Sequence, residues 1–366
     1  MGQFNMEGLH CRLICNSASE HLNQLYTGFG ELNHQGIIEV SLQKGPHYIS
    51  SNYLKPYLKV VVNGQFTILY DNSDGYELIY PELDDIDFYF KRSFFPEYVQ
   101  KLTDGHKIYP LGFNYEVYSE HDQALKRALW SNNLKDFFKS YVRASKPLSK
   151  LLKVESSIAT SHFKYFEGQP KSTDRPLILF MARLWEPSKV SSSKSKSERE
   201  EINHLRATCI RTLRKEFGEL FVGGLANTDF AVKQYPDCVL NQKNMARKAN
   251  YLKLMHNASI CIATTGLMGS VGWKMAEYIA GAKAIVSEKN YYEFPGDFKE
   301  GCNFLSFEKL EDCIENVAYL VDNPLKRLEM MKANQSYYRQ FLRPDQLVLN
   351  SLKRVLDHQP KVDLPK

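Results

Sequence analysis

The residues with the clearest chemistry lie in "TTGLMGSVGWKMAEYIAGAKAIVSE", residues 264–288, where glycines precede a carboxylate. Gly266, Gly269 and Gly272 lack a Cβ, so the backbone around them can approach a ligand closely. The N–H groups of a following helix, and the positive end of its dipole, favour an anion there. The alternative is that the glycines only cap elements, because their spacing is neither G-x-G-x-x-G nor a P-loop. The predicted phosphate or diphosphate site comprises Gly269, Ser270, Val271 and Gly272.

Two apolar runs flank this loop and indicate the elements that position it. "ASICIA" (258–263) and "AKAIVSE" (282–288) are β-prone, and the stretch between the glycines and the second run has helical character. The predicted order is strand, glycine loop, helix and strand. Near the N-terminus, "CRLICNS" (11–17), a helix over 19–36 and "IIEVSLQ" (37–43) repeat the alternation, which predicts mostly parallel sheets of the α/β class.

Three local features add to this pattern. Gly28 and Gly30 fall inside the first predicted helix, where each costs about 1 kcal/mol relative to alanine, so close packing or a ligand-facing turn is the expected reason for them. The serine-rich run "SSSKSKSERE" (191–200) is predicted to be a mobile surface loop, followed by a helix from about 199. The C-terminal part is predicted to be helical, with a break at Asn323-Pro324.

Length and composition predict two globular domains. At 366 residues the chain exceeds the size at which single hydrophobic cores stop growing. Seven scattered cysteines indicate buried free thiols rather than disulfides or a zinc site. A net charge of +5 favours anionic ligands, but the basic residues are not concentrated as in nucleic-acid-binding proteins, so no nucleic acid partner is expected.

Neither a membrane span nor a signal peptide is predicted. No apolar run reaches the roughly 18 to 20 residues that cross a bilayer. The N-terminus lacks a basic segment followed by a long apolar core. We expect a cytoplasmic protein, with peripheral contact to the inner membrane surface left open.

Four stretches resemble glycosyltransferases of the GT-B fold, especially the bacterial group 1 enzymes that build polysaccharides. In chain order they are "IYPLGFNYEVYS", "LILFMARL", "NYLKLMHNASICIATTGLMGSVGWKMAEYIAGAKAIVSE" and "GCNFLSFEKLEDCIENVAYLVDNPLKRLEMMKANQSYY". The resemblance implies two facing Rossmann-like domains with mostly parallel sheets and closing C-terminal helices. The implied parts are an acceptor-binding domain (1–120), a helical connection (121–172), a donor-binding domain (173–325) and helices that return to the N-terminal domain (326–366).

The same resemblance implies roles at the nucleotide. Glu277 would receive the ribose hydroxyls, a task that suits an ionised carboxylate because it only accepts hydrogen bonds; a packing role is the alternative. Arg183 would bind the diphosphate bidentately, and Lys274 would neutralise the leaving group. Lys189 lies one residue further along than the family's lysine, in the loop that the serine run lengthens. Gly269 stands where many retaining members have a second glutamate, which favours inversion.

Candidates for the acceptor side come from their positions after predicted strands. Asp71 and Asp74, in "LYDNSDG", follow a strand whose carboxyl end opens a crevice, and either could act as general base, although the sequence is also typical of an ordinary turn. Lys91 and Arg92 could hold an anionic acceptor. The remaining candidates are Asn16 and Ser17 at the same crevice, with His34 and His106 as weaker bases.

The predicted function is transfer of a sugar from a nucleotide-diphosphate or nucleotide-monophosphate sugar to a glycan or lipid-linked glycan, in bacterial surface polysaccharide synthesis. No cofactor or metal is expected besides the nucleotide-sugar co-substrate. Three alternatives stay open: a metal-dependent enzyme using "DDID" (84–87), although this motif precedes its strand rather than following it; a nucleotide-sugar epimerase; and a non-enzymatic polyanion-binding protein.

Overall fold

The structure is a computed structural model that describes residues 8–15, 19–45, 57–122, 160–240 and 245–357. It divides into two compact α/β units, as predicted. Unit 1 comprises residues 1–163, 292–295 and 339–366, and unit 2 comprises residues 164–291 and 296–338. Most of the predicted helical connection, from 123 to 159, lies outside the described residues.

The elements below are numbered in chain order. The strands are β1 (His10–Cys15), β2 (Glu39–Lys44), β3 (Tyr57–Val62), β4 (Phe66–Asp71), β5 (Phe88–Lys91), β6 (Ile108–Pro110), β7 (Ile178–Ala182), β8 (Phe221–Leu225), β9 (Ile260–Ala263), β10 (Ala284–Glu288) and β11 (Leu305–Phe307). The helices are α1 (Asn23–His34), α2 (Pro96–Val99), α3 (Ser193–Phe217), α4 (Asp229–Gln234), α5 (Lys248–Asn257), α6 (Trp273–Ala280), α7 (Leu310–Asp322), α8 (Pro324–Tyr337) and α9 (Pro344–Asp357).

The sheet of unit 1 is mixed rather than wholly parallel. Its order is β2-β1-β3-β4-β5-β6, and β3 runs antiparallel to both β1 and β4, while the other neighbours are parallel. The reason is a tight hairpin: Asn63 and Gly64 have φ of 51° and 70°, the left-handed pair that a two-residue turn requires. The Asn-Gly dipeptide was the sequence signal for this hairpin. The carboxyl ends of β1, β4, β5 and β6 still share one edge. The direction reverses from β1 to β3 and again from β3 to β4, so β4 is parallel to β1.

Helix α1 owes its glycines to close packing. A Cβ at Gly28 would lie 2.2 Å from the carbonyl oxygen of Pro344, the first residue of α9, and one at Gly30 would lie 2.2 Å from the carbonyl oxygen of His121. Of the two reasons predicted for these glycines, the structure shows packing. Helix α9, near the end of the chain, therefore packs directly on α1 near its beginning.

The sheet of unit 2 is parallel throughout, with the order β11-β10-β9-β7-β8. Its first strand, β7, lies between β8 and β9. The chain passes from β7 to β8 on one side, and then crosses to β9, β10 and β11 on the other side of β7. This is a doubly wound order, whose ligands bind outside the carboxyl ends of the strands at the point of reversal. In unit 2 that point lies between the ends of β7 and β9, at Ala182 and Ala263.

Two local predictions have different outcomes. The serine-rich run is not a loop: α3 begins at Ser193, after Ser192 caps it by accepting a hydrogen bond from the Ser195 amide at 3.5 Å. The prediction was wrong because serine favours helix caps as well as loops. The helix break at Asn323 is confirmed, since α7 ends at Asp322 and α8 begins at Pro324. All seven cysteines are free, as predicted, and all except Cys302 are buried.

No helix within the described ranges is long and apolar enough to cross a membrane.

Candidate functional site

The glycine loop of unit 2 follows β9 and leads into α6, which confirms the predicted order of elements. The loop closes on itself: the Gly266 amide donates to the Ser270 carbonyl at 2.7 Å, and Thr265 bridges Val271. Gly269 has φ +64°, a conformation that strains residues with a Cβ, whereas a Cβ at Gly266 would lie 2.8 Å from the Ser270 hydroxyl oxygen. The turn geometry therefore favours glycine at position 269 and leaves little room for a side chain at position 266.

Arg206, on α3, ties this loop to the segment after β7. Its guanidinium donates to the Arg183 carbonyl at 2.5 Å, the Thr265 carbonyl at 2.8 Å and the Thr264 hydroxyl at 3.1 Å. Burial lowers the pKa of Arg206 to about 10, which still leaves it cationic at neutral pH, with the Glu288 carboxylate acting in the opposite direction. Glu288 also accepts from the Thr265 amide at 2.8 Å. The ends of β7, β9 and β10 are thus fixed to one another at the reversal point.

Glu277 lies in the second turn of α6 and faces α5. Only 3% of its side chain is exposed, and its oxygens accept from Tyr251 at 2.6 Å, Lys248 at 3.0 Å and Lys274 at 3.1 Å. The Lys274 ammonium also lies 3.2 Å from the centre of the Tyr251 ring. The four residues form one cluster, here called the Glu277 cluster, with one negative and two positive charges.

The two lysines keep Glu277 ionised. Burial by itself raises the pKa of this carboxyl, but Lys248, Lys274 and the Tyr251 hydroxyl reverse the effect and lower the pKa to about 2. The same burial, with the nearby Glu277 charge, raises the pKa of Tyr251, so the phenol stays protonated and donates. Burial lowers the pKa of Lys274, while the Glu277 charge opposes that shift, and the carboxylate fixes the positions of both lysines.

The residues predicted to contact the donor differ in their exposure and in their ion pairs. Arg183 is exposed and forms no ion pair with the residues that the structure describes. Lys189 is 72% exposed and pairs with Glu186 at 3.0 Å, in a short turn before α3 rather than in a long loop. Ser270 is buried, and Gly272 directly precedes α6. The site roles of these residues remain predictions.

In unit 1, β4 and β5 bring two of the predicted residues together in the interior. Asp71 and Lys91 are both 0% exposed and pair at 3.1 Å. Asp71 also accepts from the Tyr89 hydroxyl at 2.6 Å and from the amide and hydroxyl of Ser73 at 2.9 and 2.6 Å. Burial lowers the pKa of Lys91, while Asp71 opposes that shift. The expectation that Asp71 and Lys91 face a ligand is therefore corrected, because neither side chain reaches solvent.

Asp74 and Arg92 form the second pair at this edge. Arg92 Nη1 donates to Asp74 Oδ1 at 2.8 Å, and the Asp74 side chain is 36% exposed. The Ser93 hydroxyl donates to the Asp74 carbonyl at 2.7 Å and so holds the loop. Of the two predicted bases, Asp74 is the one that solvent reaches.

Of the remaining acceptor-side candidates, the two histidines do not join this edge. Asn16 and Ser17 lie outside the described residues. The His34 ring stacks on the His121 ring with centroids 3.5 Å apart, at the C-terminal end of α1. His106 lies in the turn before β6, and that turn is at the opposite end of the strand from Arg92.

The "DDID" motif lies at the amino end of β5. Asp87 accepts from the Thr67 amide at 2.7 Å, and Asp85 pairs with Lys59. These carboxylates are at the edge opposite to the carboxyl ends of the strands, where ligands of α/β sheets bind. Within the described part of the chain, no three His, Cys, Asp or Glu side chains gather as a metal site would require.

Four site residues were absent from the sequence prediction: Arg206, Lys248, Tyr251 and Glu288. Arg206 had a usable signal, since it lies with Asn203 on the stripe of α3 that also buries Ala207, Ile210 and Leu213. A long cationic side chain on an apolar stripe needs acceptors inside the protein. The partners themselves were not predictable, because they lie 23 to 59 positions away.

No family model and no curated protein matches the chain. Among solved structures, the C-terminal domain of a glycosyl transferase group 1 family protein (LpcC) from Francisella tularensis is 14% identical, with a TM-score of 0.32, over 48% of this chain and 95% of that one. An α1,3-fucosyltransferase is also 14% identical, with a TM-score of 0.41, over 98% and 93% of the two chains. A UDP-GlcNAc 2-epimerase from Neisseria meningitidis is 12% identical, with a TM-score of 0.36, over 75% of this chain and 62% of that one. Proteins of the predicted class thus occur among the similar structures.

Proposed function

We propose that this protein is a GT-B glycosyltransferase that moves a sugar from a nucleotide sugar to a hydroxyl of a glycan or lipid-linked glycan. The observation that carries the proposal is the glycine loop at the reversal point of unit 2, held to the end of β7 by Arg206. Such a crevice is where doubly wound sheets bind nucleotides. The exposed Arg183 and the N-terminus of α6 provide positive charge for a diphosphate.

The Glu277 cluster gives the ribose and leaving group their contacts in this proposal. Glu277 is ionised but only 3% exposed, so ribose hydroxyls reach its carboxylate by displacing one of its lysine contacts. Lys274, whose side chain is 38% exposed, stabilises the negative charge that develops on the departing diphosphate. Arg183 and Lys274 neutralise the diphosphate, as a metal ion does in other enzymes, so turnover should continue in EDTA.

On the acceptor side, Asp74 is the general base. It removes the proton from the acceptor hydroxyl as that oxygen forms a bond to the anomeric carbon, and the bond from that carbon to the nucleotide phosphate breaks. The products are the glycoside and the free nucleotide, with inverted configuration. We place this reaction on the cytoplasmic side of the membrane, in surface polysaccharide synthesis.

The test is incubation with a panel of nucleotide sugars and candidate glycan acceptors, with mass spectrometry of the products and NMR of the new anomeric centre. The expected result is a product heavier than the acceptor by one sugar, with inverted configuration, formed equally well in EDTA. Turnover of a nucleotide sugar without any acceptor would instead indicate an epimerase. Retained configuration would overturn the inverting mechanism, and a requirement for manganese would overturn metal independence.

A further inference from the structure

An exposed tyrosine lies beside Asp74 in unit 1. Tyr76 is 41% exposed, although two other rings hold it in place. The centre of its ring lies 5.6 Å from that of Phe95 and 5.2 Å from that of Tyr98. A supported aromatic ring that keeps this much exposed surface is suited to packing against the flat apolar face of a ligand.

The charges at this edge are balanced. Lys91 pairs with Asp71 inside the protein, and Arg92 pairs with Asp74 at its surface. A bound anion would therefore have to compete with Asp74 for Arg92, and Lys91 is out of its reach. The earlier expectation that Lys91 and Arg92 hold an anionic acceptor does not fit this arrangement.

We infer that Tyr76 and Asp74 form a subsite for an uncharged sugar, here called the Tyr76 subsite. The C–H face of the sugar ring packs on Tyr76, and its hydroxyls donate to the Asp74 carboxylate. The inference rests on the proposed function, because it names the acceptor that unit 1 takes: a neutral glycan, in place of one recognised through a phosphate or a uronic acid.

The experiment is a glycan array that carries neutral oligosaccharides beside phosphorylated and uronic-acid-containing ones, probed with the labelled full chain. Wild type should bind neutral glycans. Tyr76→Ala and Asp74→Asn should each weaken that binding about tenfold or more, the effect of losing one aromatic or charged contact. Tyr76→Phe should bind like wild type, since the ring is retained. Tyr319→Ala is the matched control, because Tyr319 is a similarly exposed tyrosine, at 46%, in unit 2.

Three results would overturn the Tyr76 subsite: preference for acidic glycans with binding that falls steeply with salt, full binding by Tyr76→Ala, or no binding to any glycan. A separate calorimetric titration of the same preparations with UDP, GDP and CMP tests the nucleotide site. Glycan binding without nucleotide binding would remove the proposed transferase and leave the subsite. If the protein binds nucleotide and turns over, and Tyr76→Ala has unchanged kinetics, the transferase would stand and the Tyr76 subsite would be removed.

Discussion

At Glu277, two ammonium groups and a phenol surround one buried carboxylate, and they decide its protonation. Without these partners burial would raise the pKa of the carboxyl, but with them the pKa falls to about 2. Breaking such a pair from one side leaves an uncompensated charge inside the protein, which is strongly destabilising. Glu277 therefore contributes to the stability of unit 2 whether or not a ligand is bound.

Glu277→Gln should destabilise the protein at about pH 7, and less so in acid. The folded pKa lies below the ordinary 4.5, so the stabilisation is present above that value and is lost as the pH falls toward 2. At about pH 3.5, one pH unit below the ordinary value, roughly 1.4 kcal/mol of the difference between wild type and Glu277→Gln should be gone.

Urea unfolding of both proteins at the two pH values measures this difference. Glu219→Gln is the control, because Glu219 pairs with Arg175 on the surface and is 90% exposed. A difference between Glu277→Gln and wild type that stays constant with pH would contradict the assigned ionisation.

Asp71 and Asp74 are three positions apart, yet we expect opposite consequences when each becomes asparagine. Asp74→Asn should lower the rate of transfer by about a hundredfold to ten-thousandfold with unchanged nucleotide affinity, because it removes a general base. Asp71→Asn should instead lower the free energy of unfolding by about 3 kcal/mol or more, because Lys91 loses its buried partner. Steady-state kinetics and thermal unfolding of both variants separate the two effects, and a slow but fully stable Asp71→Asn would reverse the assignment.

At the scale of elements, a side chain from α3 holds the loops at the reversal point of unit 2, although α3 is distant from them in sequence. Arg206 reaches backbone carbonyls after β7 and β9, and Glu288 reaches the amide of Thr265 from β10. The loops are therefore preorganised by a buried cation, which lowers the entropy that a ligand must remove on binding.

Arg206→Met should loosen the glycine loop while α3 stays folded. We expect faster hydrogen exchange at the amides of 264–272, where Gly266 and Ser270 donate within the loop. Arg211→Met is the matched control on the same helix, since Arg211 is 45% exposed and pairs with Asp237 outside the loop. Unchanged exchange in Arg206→Met would show that the loop holds its own conformation.

At the scale of the whole molecule, unit 2 is inserted into the chain of unit 1. The chain leaves unit 1 after residue 163 and returns at residue 339, apart from the short segment 292–295. Helix α9 then packs on α1, so the folding of unit 1 requires two segments that are far apart in sequence.

Gly28→Ala tests this closure of the chain. The new methyl group would lie 2.2 Å from the Pro344 carbonyl oxygen, and backbone atoms cannot yield as a flexible side chain does. We expect a loss of about 1 to 3 kcal/mol, the usual cost of overpacking, in spite of alanine's higher helix propensity. Thermal unfolding measures the loss, with Glu31→Ala on the same helix as the control; a stabilised Gly28→Ala would mean that α1 and α9 separate easily.

The sequence by itself determined the order of elements around the glycine loop, the two α/β units and the helix break at Asn323. These follow from apolar runs, turn residues and proline, which act over a few positions. The Asn63-Gly64 hairpin was equally local and could have been predicted.

Only the tertiary structure decided which charges meet. The pairing of β4 with β5 places Asp71 opposite Lys91 and so buries both, while it leaves Asp74 at the surface with Arg92. The packing of α3 gives Arg206 its three acceptors, and the packing of α5 on α6 gives Glu277 its contacts with Lys248 and Tyr251, whereas Lys274 pairs with Glu277 within α6 itself. These partners lie up to 59 positions apart, and their meeting depends on strand register and helix position, which no short stretch of sequence encodes.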